Sequence, residues 1–307
     1  MSARFRLSAA AAIGLLSPAA HAARPAPIEV AMTIDDAPMH APFPPGESIA
    51  SVNRALIAAL ARGGVREVTL FVNGIGTERS SEGRAALEAW RRAGVRFGNH
   101  TWTHGNIDEV GVAAFEADIA KGEPLLAELG GTGDEHWLRF PYLAEGKDAA
   151  TRGAVRGWLA DRRYRIAAVS LSFGDWQWTG PLARCAAQGN RAALAELDRR
   201  YLAAAADEIA RARRQDRLSG HPFPRVLLMH DSAMTARMMP RLLALYRRLG
   251  VRWIGLARAE RDPAYASDVD PRRAPAERHW LDRPADLPPR DDGGALNAIC
   301  PAPAAAG

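Results

Sequence analysis

The chain has 307 residues, of which 48% are hydrophobic and 24% are charged, and its formal net charge is +5. This composition can bury a full core and excludes a disordered polar chain, and the length is most simply that of one domain. The basic residues are scattered, largely as arginine pairs on predicted helices, so we expect solvated helix faces and no nucleic-acid partner.

The first 22 residues have the pattern of a secretory signal peptide. Arg4 and Arg6 supply positive charge, an apolar run follows at residues 7–16, and Ala20-His21-Ala22 fits a small-x-small cleavage site. We therefore expect cleavage near Ala22 and a periplasmic or secreted protein. The apolar run is too short for a membrane anchor and no later stretch is long enough, so we expect no membrane span in the mature form.

Seven apolar runs alternate with helical stretches along the chain. The predicted strands are residues 28–34, 68–72, 95–97, 136–140, 166–173, 226–229 and 253–256. The predicted helices between them are residues 48–62, 81–93, 112–129, 148–162, 191–214 and 238–249. The alternation indicates an α/β fold with a parallel sheet, and both a doubly wound sheet and a barrel are compatible with it. No glycine-rich phosphate loop follows the first strand, so nucleotide binding has no support.

The last part of the chain, residues 261–307, is rich in Pro, Asp, Arg and Ala and has no periodicity. We expect an irregular tail, packed on or trailing from a domain formed by residues 23–260. The two cysteines are Cys185 and Cys300. In an exported protein a disulfide between them is plausible and would tie the tail back, whereas two unpaired buried thiols are the alternative.

Two histidines four residues apart, His100 and His104, form a candidate metal site. In an extended strand they would lie about 13 Å apart, so only a turn brings both imidazoles to one ion. Asp35 and Asp36, at the end of the first predicted strand, offer a carboxylate. Two histidines and one carboxylate form a familiar zinc set that leaves coordination open for water and substrate.

Further polar residues follow the other predicted strands. Arg139 and Tyr142 lie at the end of the fourth, Asp175 at the end of the fifth and His230 at the end of the sixth. The carboxyl ends of parallel strands share one face, so we expect these residues to converge there. Taken alone, each of these residues is equally well explained as a helix cap, a turn residue or a surface residue without a functional role. Four histidines fit no pattern and are expected to have no functional role: His40, His136, His221 and His279.

Together these residues resemble the five motifs of the polysaccharide deacetylases, the NodB-homology domains of carbohydrate esterase family 4. The motifs are Asp35-Asp36, His100-x3-His104, Arg139-Phe140-Pro141-Tyr142, Asp175-Trp176 and Leu228-Met229-His230, in the family's order. The resemblance spans about residues 28–256. It implies an irregular (β/α)7-type barrel of the glycoside hydrolase and deacetylase kind.

The resemblance also implies a role for each residue. Asp35 would be the general base, held ionised by Arg139, and His230 the general acid, oriented by Asp175. Tyr142 would offer its backbone N–H to the oxyanion, and Trp176 would wall the site. Asp36, His100 and His104 would bind a divalent metal, for which the set suits Zn²⁺, with Co²⁺, Ni²⁺ or Mn²⁺ as alternatives.

The implied function is a secreted, metal-dependent hydrolase that removes acetyl groups from a carbohydrate. Peptidoglycan, chitin and O-acetylated polysaccharides such as xylan all remain open as substrates, and the oligomeric state is not indicated. A non-catalytic carbohydrate-binding relative is the first alternative, but it would lack a base, a ligand or an acid, and none is missing here. A non-haem iron oxygenase is the second, but that class expects a His-x-Asp pair, which this chain lacks.

Two features depart from the family pattern. The family commonly has Gly after the second Asp, whereas this chain has Ala37, which does not easily adopt a positive φ and leaves the local turn in question. The segment 176–190 is long for a minimal domain, and we predict that it builds a substrate wall.

Overall fold

The computed structural model describes residues 26–130, 136–275 and 294–301. The predicted signal peptide, residues 1–22, lies outside these residues. Within the described part of the chain, none of the helices combines the length and the apolar character that a membrane crossing requires.

Seven strands form one sheet in which every observed pairing is parallel. The strands are β1 (Ile28–His40), β2 (Val68–Val72), β3 (Arg96–Asn99), β4 (His136–Leu138), β5 (Tyr164–Ile166), β6 (Arg225–Ser232) and β7 (Val251–Ile254). Their order is β5-β4-β3-β2-β1-β6, and β7 also pairs with β1. The fold is therefore a parallel α/β fold, as the alternation of patterns predicts.

Helices connect the strands and cover the sheet. In chain order they begin with α1 (Ile49–Gly63), α2 (Ile75–Arg79), α3 (Ser81–Arg92), α4 (Ile107–Val110), α5 (Val112–Leu129), α6 (Ala149–Asp161), α7 (Thr179–Ala187), α8 (Arg191–Ser219) and α9 (Ala233–Arg248). Short helices follow near the C-terminus: α10 (Leu256–Ala259), α11 (Ala266–Val269) and α12 (Gly294–Asn297). Three 3₁₀ turns complete the set, at Pro141–Leu143, Asp175–Trp178 and Pro263–Tyr265.

The sheet curves into a barrel that does not close by regular strand pairing. The fifth predicted strand, residues 166–173, is wrong in extent, because β5 ends at Ile166 and the chain then leaves β4. Its apolar residues reach β6 instead, where Leu171 forms a single parallel bridge with Leu227. The fold agrees with the open, irregular (β/α)7 type that the resemblance implies.

Local sequence signals explain where several helices begin and end. Ser48 caps α1 by accepting a hydrogen bond from the backbone N–H of Ser51, whose hydroxyl accepts one from the N–H of Ser48 in return. Gly64 ends the same helix with φ 74°, a left-handed conformation that glycine adopts without strain. Helix α9 begins at Ala233, five residues before the predicted start, because Ser232 caps it at the N–H of Thr235.

The tail expected at residues 261–307 contains ordered helical turns that its composition did not indicate. Tyr265 and Val269 are buried in an apolar cluster beneath the sheet. Cys300 is bonded to Cys185, with their Cα atoms 5.3 Å apart, so the predicted disulfide is confirmed and the alternative of two free thiols is excluded. The C-terminal segment is thereby attached to α7.

Candidate active site

The predicted site residues converge at the carboxyl edge of the sheet. Asp35 in β1 is the direct register partner of His230 in β6. After β3 the backbone N–H of His100 donates to Val72, and after β4 the N–H of Arg139 donates to Asn99. Neighbouring strands therefore deliver these side chains to one place, as expected for parallel sheets.

Asp36, His100 and His104 form a cluster with metal-ligand character. One ligand atom from each lies within 4.8 Å of the others. Oδ1 of Asp36 is 3.4 Å from Nε2 of His100 and 3.3 Å from Nε2 of His104. This oxygen is buried without a hydrogen-bond partner among the described residues, which is costly for a carboxylate unless a cation or donor satisfies it. Two imidazole nitrogens and a carboxylate oxygen suit a divalent metal such as zinc.

The imidazoles of the cluster are held ready to act as ligands. Nδ1 of His100 lies 2.7 Å from the carbonyl oxygen of Arg139, which can only accept, so Nδ1 carries a proton and Nε2 is the nitrogen that faces the cluster. Burial, followed by the charge of His100, lowers the pKa of His104 to about 4. A neutral imidazole is the form that binds a metal.

The turn after β1 resolves the question raised by Ala37. The positive φ falls on Asp36, at 64°, and Ala37 returns to the sheet opposite Val72, fully buried. Glycine is therefore not required at position 37. The strained conformation belongs to a candidate ligand, which is where such strain is commonly found.

His40, which fits no motif and is expected to have no functional role, lies at the candidate site. Its Nδ1 is 2.6 Å from Oδ2 of Asp36, and its ring centroid is 5.0 Å from that of His230. Burial raises the pKa of Asp36, but the histidines beside its two oxygens, His100 and His40, outweigh it and lower that pKa well below its usual value. Both oxygens of Asp36 thus face histidines, and the carboxylate is held ionised.

Asp35 is held by a buried arginine. Nη1 of Arg139 lies 3.3 Å from Oδ1 and 3.2 Å from Oδ2 of the carboxylate. The guanidinium is fully buried and also donates to the carbonyl of Ala167 and the hydroxyl of Thr33. A cation at this distance favours the ionised carboxylate. Asp35 can therefore accept a proton from a molecule bound at the cluster.

His230 is paired with a buried carboxylate, whereas Asp35 is paired with a buried guanidinium. Its Nδ1 is 2.9 Å from Oδ1 of Asp175, and its backbone N–H donates to Oδ2 of the same carboxylate. Thr235 also donates to Oδ2, which fixes the buried Asp175 in place. Burial alone lowers the pKa of His230, but the charge and hydrogen bond of Asp175 dominate and raise it to about 9. The imidazole is protonated at neutral pH and can donate that proton.

The two residues expected to contact substrate lie on the surface of the same region. Tyr142 is 66% exposed, has φ 58°, and its ring lies 4.6 Å from that of His104. Trp176 is 49% exposed on the 3₁₀ turn that also carries Asp175. Both aromatic side chains are therefore available to a bound molecule.

Two of the remaining histidines have the structural roles expected of them. His136 packs against the ring of Tyr164 in β4, and His221 forms an exposed ion pair with Asp262. His279 lies outside the described residues.

Comparisons with known proteins agree with this fold. The family model described as polysaccharide deacetylase matches residues 22–156, which include the metal cluster, Asp35 and Arg139. This part of the chain therefore carries a polysaccharide deacetylase domain. A sequence search of curated proteins gives no match.

Solved structures of the same family share the fold at low sequence identity. The T48 deacetylase with substrate is 18% identical over 76% of this chain and 92% of its own, with a TM-score of 0.50. BA3943 of Bacillus anthracis, a family 4 pseudoenzyme, is 15% identical over 77% of this chain and 66% of its own, with a TM-score of 0.51. A family 4 carbohydrate esterase from Streptomyces lividans in complex with acetate is 21% identical over 77% and 97%, with a TM-score of 0.48.

Proposed function

We propose that this protein is a metal-dependent deacetylase that removes acetyl groups from a carbohydrate. The observation that carries the proposal is the opposite pairing of two groups on either side of the metal cluster. Asp35 faces a buried cation, Arg139, while His230 faces a buried anion, Asp175. One group is thereby kept as a base and the other as an acid, which hydrolysis of an amide or ester requires.

The chemistry follows from these partners. Asp36, His100 and His104 would hold a divalent ion, which would supply Lewis acidity toward the acetyl carbonyl and water. Asp35 accepts the proton of the attacking water, and Arg139 holds its carboxylate in position. The backbone N–H of Tyr142 stabilises the negative charge that develops on the carbonyl oxygen.

His230 completes the reaction by protonating the departing group. Its proton goes to the nitrogen of an amino sugar or the oxygen of an esterified sugar as the bond to the acetyl carbon breaks. Asp175 then holds the neutral ring in position for reprotonation. Trp176 borders the space in which the sugar lies.

The substrate class and the location are part of the proposal. Candidate substrates are polymers of N-acetylglucosamine, such as peptidoglycan or chitin, and O-acetylated polysaccharides. We propose residues 1–22 as a signal peptide, residues 23–260 as the catalytic domain and residues 261–307 as a tail, with the mature protein in the periplasm or outside the cell. Zn²⁺ is the proposed ion, and Co²⁺, Ni²⁺ and Mn²⁺ are the alternatives.

Acetate release from a panel of acetylated glycans tests the proposal. Purified mature protein loaded with Zn²⁺ should release acetate from at least one of chitin oligomers, peptidoglycan and acetylated xylan. Asp35→Asn should abolish release while the metal stays bound, and His104→Ala should lose the metal by elemental analysis. Glycan binding without acetate release by the metal-loaded wild type would contradict the proposal and indicate a non-catalytic relative, as BA3943 is described to be.

A further inference from the structure

A cavity of about 270 Å³ adjoins the candidate site and shares His40 with it. Three separate segments line it: the end of β1 at His40 and Pro42, the turn and start of α7 at Trp176 and Thr179, and α12 at Asn297. We propose that this cavity is a subsite for a neighbouring sugar ring of the same glycan chain whose acetyl group is removed. The inference rests on the proposed function for the identity of the glycan.

The lining has the chemistry of a site for an uncharged sugar. Trp176 presents an indole that is 49% exposed, a flat apolar surface of the kind against which the C–H face of a pyranose packs. Asn297 supplies an exposed amide that both donates and accepts hydrogen bonds. The described residues of the lining include no Asp, Glu, Lys or Arg, so the cavity offers no fixed charge to an ionic ligand.

The size of the cavity also fits a single sugar ring. The volume lies just below the range of about 300–1,000 Å³ for sites that hold drug-sized molecules, so it suits one ring.

The C-terminal wall of the cavity is held in place by the disulfide. Cys185 on α7 is bonded to Cys300, and Arg184 donates from Nε to the carbonyl of Cys300 over 2.7 Å. Gln188 donates to the carbonyl of Pro301. These contacts fix α12, and with it Asn297, beside Trp176. The disulfide thus acts as a positioning device for a binding residue that is far away in sequence.

Calorimetric titration with two defined glycans tests the subsite. The protein carries Asp35→Asn so that it binds without turnover, and the probes are penta-N-acetylchitopentaose and an acetylated xylopentaose. With the better probe, Asn297→Ala should weaken binding about fivefold, the loss expected for one hydrogen bond, and Trp176→Ala should weaken it more. The matched control is Leu218→Ala, which removes a similarly exposed apolar side chain at the far end of α8 and should leave affinity unchanged.

Removal of the disulfide provides a second test of the subsite. Cys300→Ser should reproduce the affinity loss of Asn297→Ala, and combining the two changes should add little. If Cys300→Ser does not fold, Asn297→Ala still decides, because it keeps the disulfide. Equal affinities of parent, Asn297→Ala and Trp176→Ala, or no binding of either probe, overturn the subsite. If the wild type releases no acetate but binding still depends on Asn297 and Trp176, the subsite is supported and only the proposed function is contradicted.

Discussion

At the scale of single residues, His40 shows how a ligand carboxylate is controlled by a neighbour that is not itself in the metal cluster. Its Nδ1 donates to Oδ2 of Asp36, which leaves Oδ1 facing His100 and His104. Partners of this kind fix the orientation and charge of a ligand and contribute substantially to metal affinity.

We therefore expect His40→Ala to weaken Zn²⁺ binding about 10–100-fold, the usual effect of losing such a partner. Competitive titration with a chelating dye measures the affinity. His221→Ala is the matched control, because His221 is an exposed histidine that pairs with Asp262 on the surface. An unchanged affinity in His40→Ala would show that the hydrogen bond to Asp36 does not matter for metal binding.

The pH dependence of the reaction should reflect the protonation of His230. Its pKa is raised from its ordinary value of 6.5 to about 9, so the acid form persists through neutral pH and is lost as pH rises through about 9. The kcat/KM for an acetylated amino sugar should fall on the alkaline side near pH 9. In Asp175→Asn the anion is gone and burial dominates, so the fall should move to lower pH, whereas Asp262→Asn should not move it.

Removal of the acid should separate substrates by their leaving groups. His230→Ala should impair an acetylated amino sugar most, because an amine departs poorly without a proton. An aryl acetate, whose phenolate leaves unaided, should escape most of the loss of roughly 10²–10⁴ that general acid catalysis supplies. Rates on the two substrates in wild type and variant provide the comparison. Equal losses would assign His230 to binding or to the fold.

At the scale of secondary structure elements, the close contact between β2 and β3 helps to position Asp35, the proposed base, through Phe71 and Arg139. A Cβ on Gly98 would collide with the ring of Phe71, and the guanidinium of Arg139 lies 4.7 Å above that ring. Phe71 has no space to yield without moving Arg139, which in turn holds Asp35.

Gly98→Ala should therefore lower both activity and stability. Overpacking of a core contact costs about 1–3 kcal/mol, and urea unfolding together with kcat/KM measures the two effects. Gly153→Ala in α6 is the control, because its Cβ would meet nothing within 4 Å. That substitution should be stabilising by about 0.5–1 kcal/mol, the usual benefit of alanine within a helix.

The sequence predicts a strand or helix well where its own hydrophobic pattern determines it. The prediction fails where tertiary contacts determine which strands pair. The alternation of strands and helices is confirmed. The run at 166–173 was assigned to one strand, yet only its start pairs with β4, since Leu171 turns to β6. Hydrophobic periodicity reports burial and does not report which neighbour a backbone pairs with.

In the candidate site, too, some residues are predicted from the sequence and others depend on tertiary structure. The predicted metal trio does converge, because β1 and β3 lie on either side of β2 and their carboxyl ends share one edge of the parallel sheet. His40 was missed because residues 36–39 loop out of register, so that Asp35 pairs with His230 but His40 pairs with Ser232. An irregularity of this kind has no sequence signal of its own, and four residues of regular strand would have carried His40 far from Asp36.

At the scale of the whole molecule, the disulfide joins the ends of a long chain segment. Cys185 and Cys300 are 115 residues apart in sequence, a loop for which the chain-entropy model gives about 4–5 kcal/mol of stabilisation. Urea unfolding of the wild type should therefore shift to lower concentration when a reductant is added.

Cys185→Ser should lower the free energy of unfolding by up to that amount and should be insensitive to reductant. Thiol titration of unfolded, unreduced wild type should find no free thiol. Two free thiols would contradict the bridge, and a reductant-sensitive Cys185→Ser would assign the effect to something else.

The direct pairing of Asp35 with His230 has a consequence for how such an enzyme can diversify. Both residues stand on hydrogen-bonded strands whose register cannot slip by one residue without turning every side chain of β6 to the opposite face. The residues proposed to face the sugar, by contrast, lie on turns and on a tethered C-terminal helix. Segments 141–146, 176–190 and 294–301 can accordingly be exchanged with those of a relative to change the preferred glycan, while the proton-transfer pair is inherited unchanged from the sheet.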